Sequence, residues 1–385
     1  MKTLLSFLLS LFFFSCQNTL EITVSNPSPF DRENEIVEIS YDEIVNKLKG
    51  DRYVLYNSEG EIITTQKVYD GKVVFPVSVK AGGVASFTMK TDTKTQELPE
   101  YLVYGKQYPE RLDDIAWEND RIAFRAYGPA LQARGEKSFG YDVLVKRVPQ
   151  LVIEERYRGE LSKEKSYHVD HGNGMDYYAV GPTLGAGTSA LFHNDSIVYP
   201  YCYKDYEILD NGPLRFTVKL VFNPLKIGEN DNVIETRVIS LDAGSQLNKI
   251  DVFYDNLTTK ELFVAGIVLH EPSREYDIDM INSYIAYAEP KDPENGQTFI
   301  GVVFPESLKE AKVIDFSTES NNNKYRAGAP TGHLLAFAEY EPEQIITYYA
   351  GAGWSKWGFE SSDVWFNYME TFSKRLSEPL VVTLK

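Results

Sequence analysis

The chain has 385 residues, with 39 Lys and Arg against 56 Asp and Glu, a net charge of -17. That balance excludes a protein built to grip nucleic acid, whose phosphates need a basic face. It also means that an anionic substrate requires a locally basic pocket. Aromatic residues make up 13% of the chain, glycine and proline punctuation is dense, and long 3.6-residue periods are scarce. These features predict an all-β protein, divided by its length into one small and one large domain.

Met1 and Lys2 precede an apolar run from Thr3 to Phe14, and Ser15 stands before Cys16. The run is too short to span a bilayer but has the order of a lipoprotein signal. Residues 1–15 are therefore expected to be a signal peptide and Cys16 the lipid-bearing N-terminus. A simple secretory peptide with an incidental cysteine is the competing reading. No acidic run follows Cys16, since Gln17-Asn18-Thr19-Leu20 comes next. The expected location is thus an outer-membrane lipoprotein that faces the periplasm, with its lipid anchor the only contact with membrane. Cys202, in a Tyr-rich segment, is expected to be a small buried hydrophobe and not a nucleophile.

Residues 16–95 read as a small N-terminal β-sandwich. Its strands are Glu21–Ser25, Tyr53–Tyr56, Lys72–Val77 and Ala85–Met89, with a short helix at Tyr41–Lys49. Residues 96–110, rich in Glu, Tyr and Pro, read as a linker. Residues 111–385 read as a large two-sheet domain. Alternation is clear at Arg121–Tyr127 and at Arg215–Phe222, where Phe216, Val218, Leu220 and Phe222 share one face. Further strands are predicted at Ile234–Leu241, Leu247–Tyr254, Leu262–Leu269, Thr298–Val303, Gly332–Phe337 and Ile345–Ala350. Only Val364–Leu376 has a clear helical stripe, made of Trp365, Tyr368, Met369, Phe372 and Leu376, which reads as core packing.

The densest polar segment runs from Tyr167 to Tyr178. Two of the chain's five histidines, His168 and His171, lie in it, and five glycines fall between Gly172 and Gly187. Glycine lets backbone approach a ligand closely, and loops on β scaffolds often carry function. Three readings stand. The loop is a locally bonded turn, or a divalent metal site using His168, Asp170 and His171, or a catalytic or sugar-binding loop with His168 or His171 as base and Tyr177 as acid. Arg125 and Tyr127 share a strand face. They are candidates for holding a substrate carboxylate and for moving a proton, against the reading of a surface ion pair. Trp354, Lys356 and Trp357 in a glycine-rich context, together with His270 and Asp176, are candidates for contacting a sugar; buried tryptophan is the competing reading. Phosphate-cradling loops, serine-hydrolase elbows, Cys-x-x-Cys and His-Glu-x-x-His patterns do not occur.

Several motifs together carry a resemblance. They are Asn26-Pro27, Arg32-Glu33-Asn34-Glu35, the run Trp117 to Pro129, Gly140-Tyr141-Asp142-Val143, the His168–Gly187 loop, Leu241 to Leu247, and Gly353-Trp354-Ser355-Lys356. In this order they resemble a family of lipoproteins of unknown function from the polysaccharide-utilisation loci of Bacteroidetes. The resemblance covers nearly the whole chain after the signal. It implies a small sandwich followed by a galactose-mutarotase-like supersandwich. It also implies, through one branch, an ulvan oligosaccharide dehydratase, which removes water from a terminal glucuronate to leave a 4,5-unsaturated sugar. No cofactor is required for that reaction, and the partner is an acidic oligosaccharide. Elimination needs a cation near the carboxylate, a base for the C5 proton and an acid for the C4 oxygen. Arg125 or Lys356, then His168, His171 or a tyrosine, and Tyr127 or Tyr177 are the respective candidates. A polysaccharide lyase would use the same groups. Two further activities fit the sequence: a glycoside hydrolase using Asp170 or Asp176 with Glu271, and a non-catalytic carbohydrate-binding lipoprotein.

Overall fold

The computed structural model describes residues 19–91, 99–316 and 329–385. The expected signal segment and Cys16 lie outside the described residues. The chain is dominated by antiparallel strands, as its alternation requires.

The small sandwich has two sheets. One is five-stranded, and its central strands Thr19–Ser25 and Val84–Thr91 pair from Thr19–Lys90 to Ser25–Val84. The other joins Arg32–Ser40, Lys72–Val79 and Gln66–Lys67. Leu20, Ile22, Val24, Val73, Phe75, Val77, Phe87 and Met89 fill the space between them. Helix Tyr41–Leu48 starts where the Ser40 hydroxyl accepts the Glu43 N–H, and it buries Ile44 and Leu48 against that core. The last strand of the chain, Val381–Leu384, pairs with Thr19–Ser25. The end of the chain therefore adds to the small sandwich, where the sequence pattern had placed it in the large domain.

The large domain is a two-layer supersandwich. One layer is a nine-stranded sheet that runs from Tyr203–Asn211 to Glu275–Asp279. The facing layer is made of two five-stranded sheets joined by a bridge between Tyr141 and Gly185. One of these begins with Val103–Tyr108, a strand where the sequence pattern had predicted linker, and ends with Gly174–Asp176. Trp117 and Phe216 stack between the layers with ring centroids 6.2 Å apart. The Trp117 indole N–H reaches Asn248 Oδ1 at 2.8 Å, so its one polar atom is satisfied in the core. Truncating such a side chain costs about 3–5 kcal/mol. Helix Ser362–Ser377 lays Trp365 and Met369 on Phe299, Ala286 and Ala288 of the nine-stranded sheet, so these two residues of the predicted stripe are core, while Tyr368, Phe372 and Leu376 are half-buried and line a cavity.

One helix, Ile153–Ser162, has no apolar stripe to announce it. Its start is fixed from another strand: Glu118 Oε1 accepts the N–H groups of both Val152 and Ile153 at 2.7 Å. A carboxylate at a helix N-terminus satisfies orphan donors and complements the dipole. The other Glu118 oxygen holds the buried Lys146 ammonium at 2.6 Å. This helix leads into the polar loop that carries His168.

Candidate active site

Arg125 lies on strand Ala123–Ala126, and its register partner on strand Asp142–Lys146 is Asp142. Facing side chains on paired strands meet, and here a guanidinium meets a carboxylate. Arg125 Nε bonds Asp142 Oδ2 at 3.0 Å, and Nη2 contacts the same oxygen. Nη2 also reaches Asp176 Oδ2 at 2.9 Å and the Tyr127 hydroxyl at 3.4 Å. Nη1 donates to the Tyr167 hydroxyl at 3.2 Å and lies 3.6 Å from Asp114. Arg125, Asp114, Asp142 and Asp176 are all at most 3% exposed.

Around this buried core stand three groups that keep contact with solvent. Tyr127 is half-buried, and its hydroxyl donates to Asp142 Oδ2 at 2.8 Å. His168 is half-buried, and its Nδ1 lies 3.1 Å from the Asp176 carbonyl oxygen and 3.7 Å from the Asp176 carboxylate. That contact places the proton on Nδ1 and leaves Nε2 as the basic nitrogen. Arg111 is half-buried, and its Nε donates to the Tyr167 hydroxyl at 3.0 Å. Tyr167 thus links Arg111 to Arg125, and its ring stands 4.7 Å from that of His168.

The electrostatics follow from the burial. Loss of water, only partly offset by Arg125, pushes Asp114 and Asp176 up to about 6. Burial works against the charge of Arg125, yet Asp142, Tyr127 and Asp176 raise its pKa well above the usual arginine range. Burial also opposes the charge of Arg111, but Tyr167 and Asp114 outweigh it. Burial holds the Tyr127 phenol protonated far above the ordinary value. A buried cation therefore organises three carboxylates, a protonated phenol and an imidazole.

Several expectations need correction. Arg125 is engaged by protein carboxylates and has no free edge for a substrate carboxylate. Asp176 is buried and held by Arg125, so it is not a sugar contact. His171 is exposed, and its Nε2 lies 3.1 Å from the Ser166 carbonyl, where it fastens the loop. Asp170 accepts the N–H groups of Gly172 and Gly174 and pairs with Arg147 at 2.9 Å. Among the described residues, no three His, Cys, Asp or Glu side chains are placed to hold a metal ion. Trp354 is 2% exposed, with its indole N–H on the Asn295 carbonyl at 2.8 Å, so its faces are closed to a sugar. Cys202 is buried, which pushes its thiol up to about 12.

The remaining candidates form a second cluster. Tyr177 is half-buried and donates to Asp292 at 2.9 Å, and burial followed by that contact raises it to about 12. Lys356 lies 5.4 Å over the Trp354 ring, and Trp357 is half-buried beside it. His270 is 1% exposed, too deep for a first contact with substrate, and its Nδ1 meets Glu289 at 2.9 Å. The Tyr178 ring stands 6.1 Å from that of His270, and burial, followed by Glu289, raises its phenol well above the ordinary value. Asp114, Asp142, Tyr167, Arg111, Glu289 and Asp292 were not singled out from the sequence. Of these only Asp142 lay in a motif that carries the resemblance, Gly140-Tyr141-Asp142-Val143.

The family described as "Domain of unknown function (DUF4861)" matches residues 24–382. The chain is 28% identical to "Uncharacterized protein P7" from Formosa agariphila, over 94% of this chain and 93% of that protein. Among solved structures it is similar to a protein in the glycosyl hydrolase family 38 from Enterococcus faecalis, with a TM-score of 0.52 at 9% identity. The match covers 96% of this chain and 47% of that one. An alpha-mannosidase from Enterococcus faecalis gives a TM-score of 0.53 at 9% identity, covering 96% and 46%. The chain spans about half the length of these solved structures, and the likeness is one of fold.

Proposed function

We propose that this chain, which belongs to the DUF4861 family, is a carbohydrate-active carbon–oxygen lyase of the cell envelope. Its substrate is an acidic oligosaccharide of the ulvan type with glucuronate at the non-reducing end, and its reaction is loss of water across C4 and C5. The observation that carries this reading is that one guanidinium nitrogen, Arg125 Nη2, holds both Tyr127 and Asp176, and Asp176 in turn holds His168. An acid and a base of the right kinds are thereby fixed on one scaffold, both partly open to solvent.

The C5 proton of a uronate is poorly acidic while the neighbouring carboxylate is charged. Arg111, charged and half-buried beside Tyr167, pairs with that carboxylate and draws off its charge. His168 Nε2 takes the C5 proton. The Tyr127 hydroxyl hydrogen turns from Asp142 to the C4 oxygen, the C4–O bond breaks, and water leaves. The electron pair of the former C5–H bond becomes the C4=C5 double bond. The transient Tyr127 phenolate is stabilised by Arg125, 3.4 Å away. Solvent then returns a proton to Tyr127 and takes one from His168. The fold shared with a mannosidase is consistent with a saccharide ligand but does not choose the reaction.

The test is to incubate the purified protein with glucuronate-terminated ulvan oligosaccharides and record ultraviolet absorbance and product mass. The expected result is a rise in absorbance with a mass loss of one water. A split into two shorter sugars with the same absorbance rise would make it a polysaccharide lyase. New reducing ends without absorbance would overturn elimination altogether.

A further inference from the structure

A cavity of about 350 Å³ opens where the small sandwich meets the large domain, and we infer that it is a second saccharide site, selective for neutral pyranose units. It shares no lining residue with the Arg111–Tyr127–His168 cluster. Its volume falls in the range of small-ligand sites, roughly 300–1,000 Å³.

One wall is aromatic. Tyr349 comes from strand Ile346–Trp354, and Tyr368 and Phe372 come from helix Ser362–Ser377. The Tyr349 and Phe372 rings stand 5.3 Å apart edge to face, and Tyr368 and Phe372 stand 6.1 Å apart. All three are half-buried, so ring surface is open to the cavity they line. A pyranose has an apolar C–H face that lies against such rings, while its hydroxyls point to the sides.

The other wall is polar and rigid. Arg215 reaches Glu38 on the small sandwich at 2.5 Å and Asp242 on the nine-stranded sheet at 2.5 Å. It thereby fixes the spacing of the two domains across the cavity. The lining holds Glu33, Glu35, Glu38 and Asp242 against Arg215, Lys249 and Arg375, so the charges nearly cancel. Most are already paired: Glu35 with Arg32 at 2.9 Å and Lys249 with Asp251 at 3.0 Å. A wall of engaged carboxylates accepts hydrogen bonds from hydroxyls but disfavours a second anion. The ligand class is therefore neutral, in contrast to the uronate of the proposed active site.

The test is calorimetric titration of the full chain with xylohexaose, cellohexaose and mannohexaose. At least one is expected to bind the wild type. Tyr349→Ala is expected to weaken that binding at least tenfold, while Tyr349→Phe, which keeps the ring, retains it. His168→Gln, outside the cavity, is expected to bind as the wild type does, whether or not the elimination chemistry holds. Should Tyr349→Ala fail to fold by circular dichroism, Phe372→Ala, which removes the neighbouring ring of the same wall, decides by the same tenfold criterion. Absence of binding by all three hexaoses, or wild-type affinity in the folded cavity variant, overturns the site.

Discussion

Arg125 and Asp142 face one another as register partners on adjacent antiparallel strands, and Asp142 also accepts the hydroxyl hydrogen of Tyr127. The pair is buried, and Arg125 is the counter-charge for three carboxylates. Removing one partner of a buried ion pair leaves uncompensated charge and costs about 3–5 kcal/mol. Arg125→Met is therefore expected to lower the melting temperature sharply in calorimetry and to abolish activity with it. An unchanged melting temperature would mean that the network does not organise the site.

Tyr127 and His168 are expected to behave differently from Arg125. Tyr127→Phe keeps the ring and loses only the hydroxyl, and His168→Gln keeps a donor for the Asp176 carbonyl. Each should lower turnover by roughly 10²–10⁴-fold, the range of a general acid or base, with substrate binding retained in titration. His171→Gln should lose almost nothing, because that ring fastens an exposed turn. Equal loss in His168→Gln and His171→Gln would indicate a loop effect instead of base catalysis.

The fold was largely legible where each strand carries its own pattern. Phe216, Val218, Leu220 and Phe222 alternate, and all four are buried. It was not legible where the determinant is remote. Helix Ile153–Ser162 buries Ile153, Arg156, Tyr157 and Gly159, of which only Ile153 and Tyr157 are apolar, too few for a stripe, and its start depends on Glu118. Strand Val381–Leu384 is placed by pairing with the other end of the chain. The site divides in the same way. Arg125 and Tyr127 stand out because they share one strand face. Asp142, Asp176 and Asp114 join them through sheet register, which local periodicity does not encode. Trp354 misled because a glycine-rich setting resembles an exposed one, while the indole is sealed in the core.

The expected lipid anchor is tested at Cys16. The apolar run that ends at Phe14, followed by Ser15, motivates it. Cys16→Ala should move the protein from the detergent phase to the aqueous phase in a partition assay. Retention in detergent would rule out acylation at this residue. A periplasm-facing position further requires that protease added to intact cells leave the protein uncut.

His333 supplies a pH dependence of stability. It is 1% exposed, and its Nε2 accepts the Leu184 N–H at 3.1 Å. Burial, followed by the nearby His270, pushes its pKa down from 6.5 to about 3. The unfolded chain therefore binds this proton more readily than the folded one. The stabilisation is complete above pH 6.5 and is lost as pH falls towards 3, by about 1.4 kcal/mol per unit. Asp114 and Asp176, raised to about 6, run the other way, since their protonated forms are favoured in the fold. Their contribution is present below pH 4 and is lost as pH rises to 6. His333→Gln keeps an acceptor for Leu184 and removes the titration. The stability difference between wild type and variant, from denaturant unfolding, should shrink as pH falls from 6.5 to 4. A difference independent of pH would mean that His333 does not stay neutral in the fold.

Arg111 decides between recognition of a uronate and recognition of sugar in general. Its Nε is held by the buried Tyr167, which aligns the guanidinium, and the Asp114 carboxylate acts on it without a close ion pair. Arg111→Ala removes the partner of the substrate carboxylate in both ground and transition states. The loss should exceed that of a simple contact, since the developing negative charge at C5 spreads onto the carboxylate as the proton leaves. A charge-assisted bond of this kind contributes roughly 2–4 kcal/mol to the transition state, so kcat/KM should fall by about 30- to 1,000-fold. Arg111→Lys keeps the charge but not the planar fork and should recover only part of the activity. The sharper measurement uses the methyl ester of the same oligosaccharide, whose carboxyl is already neutral. The wild type gains little from Arg111 on that substrate, so wild type and Arg111→Ala should turn it over at similar rates. If Arg111→Ala loses as much on the ester as on the acid, Arg111 serves the fold of the site and another cation meets the carboxylate.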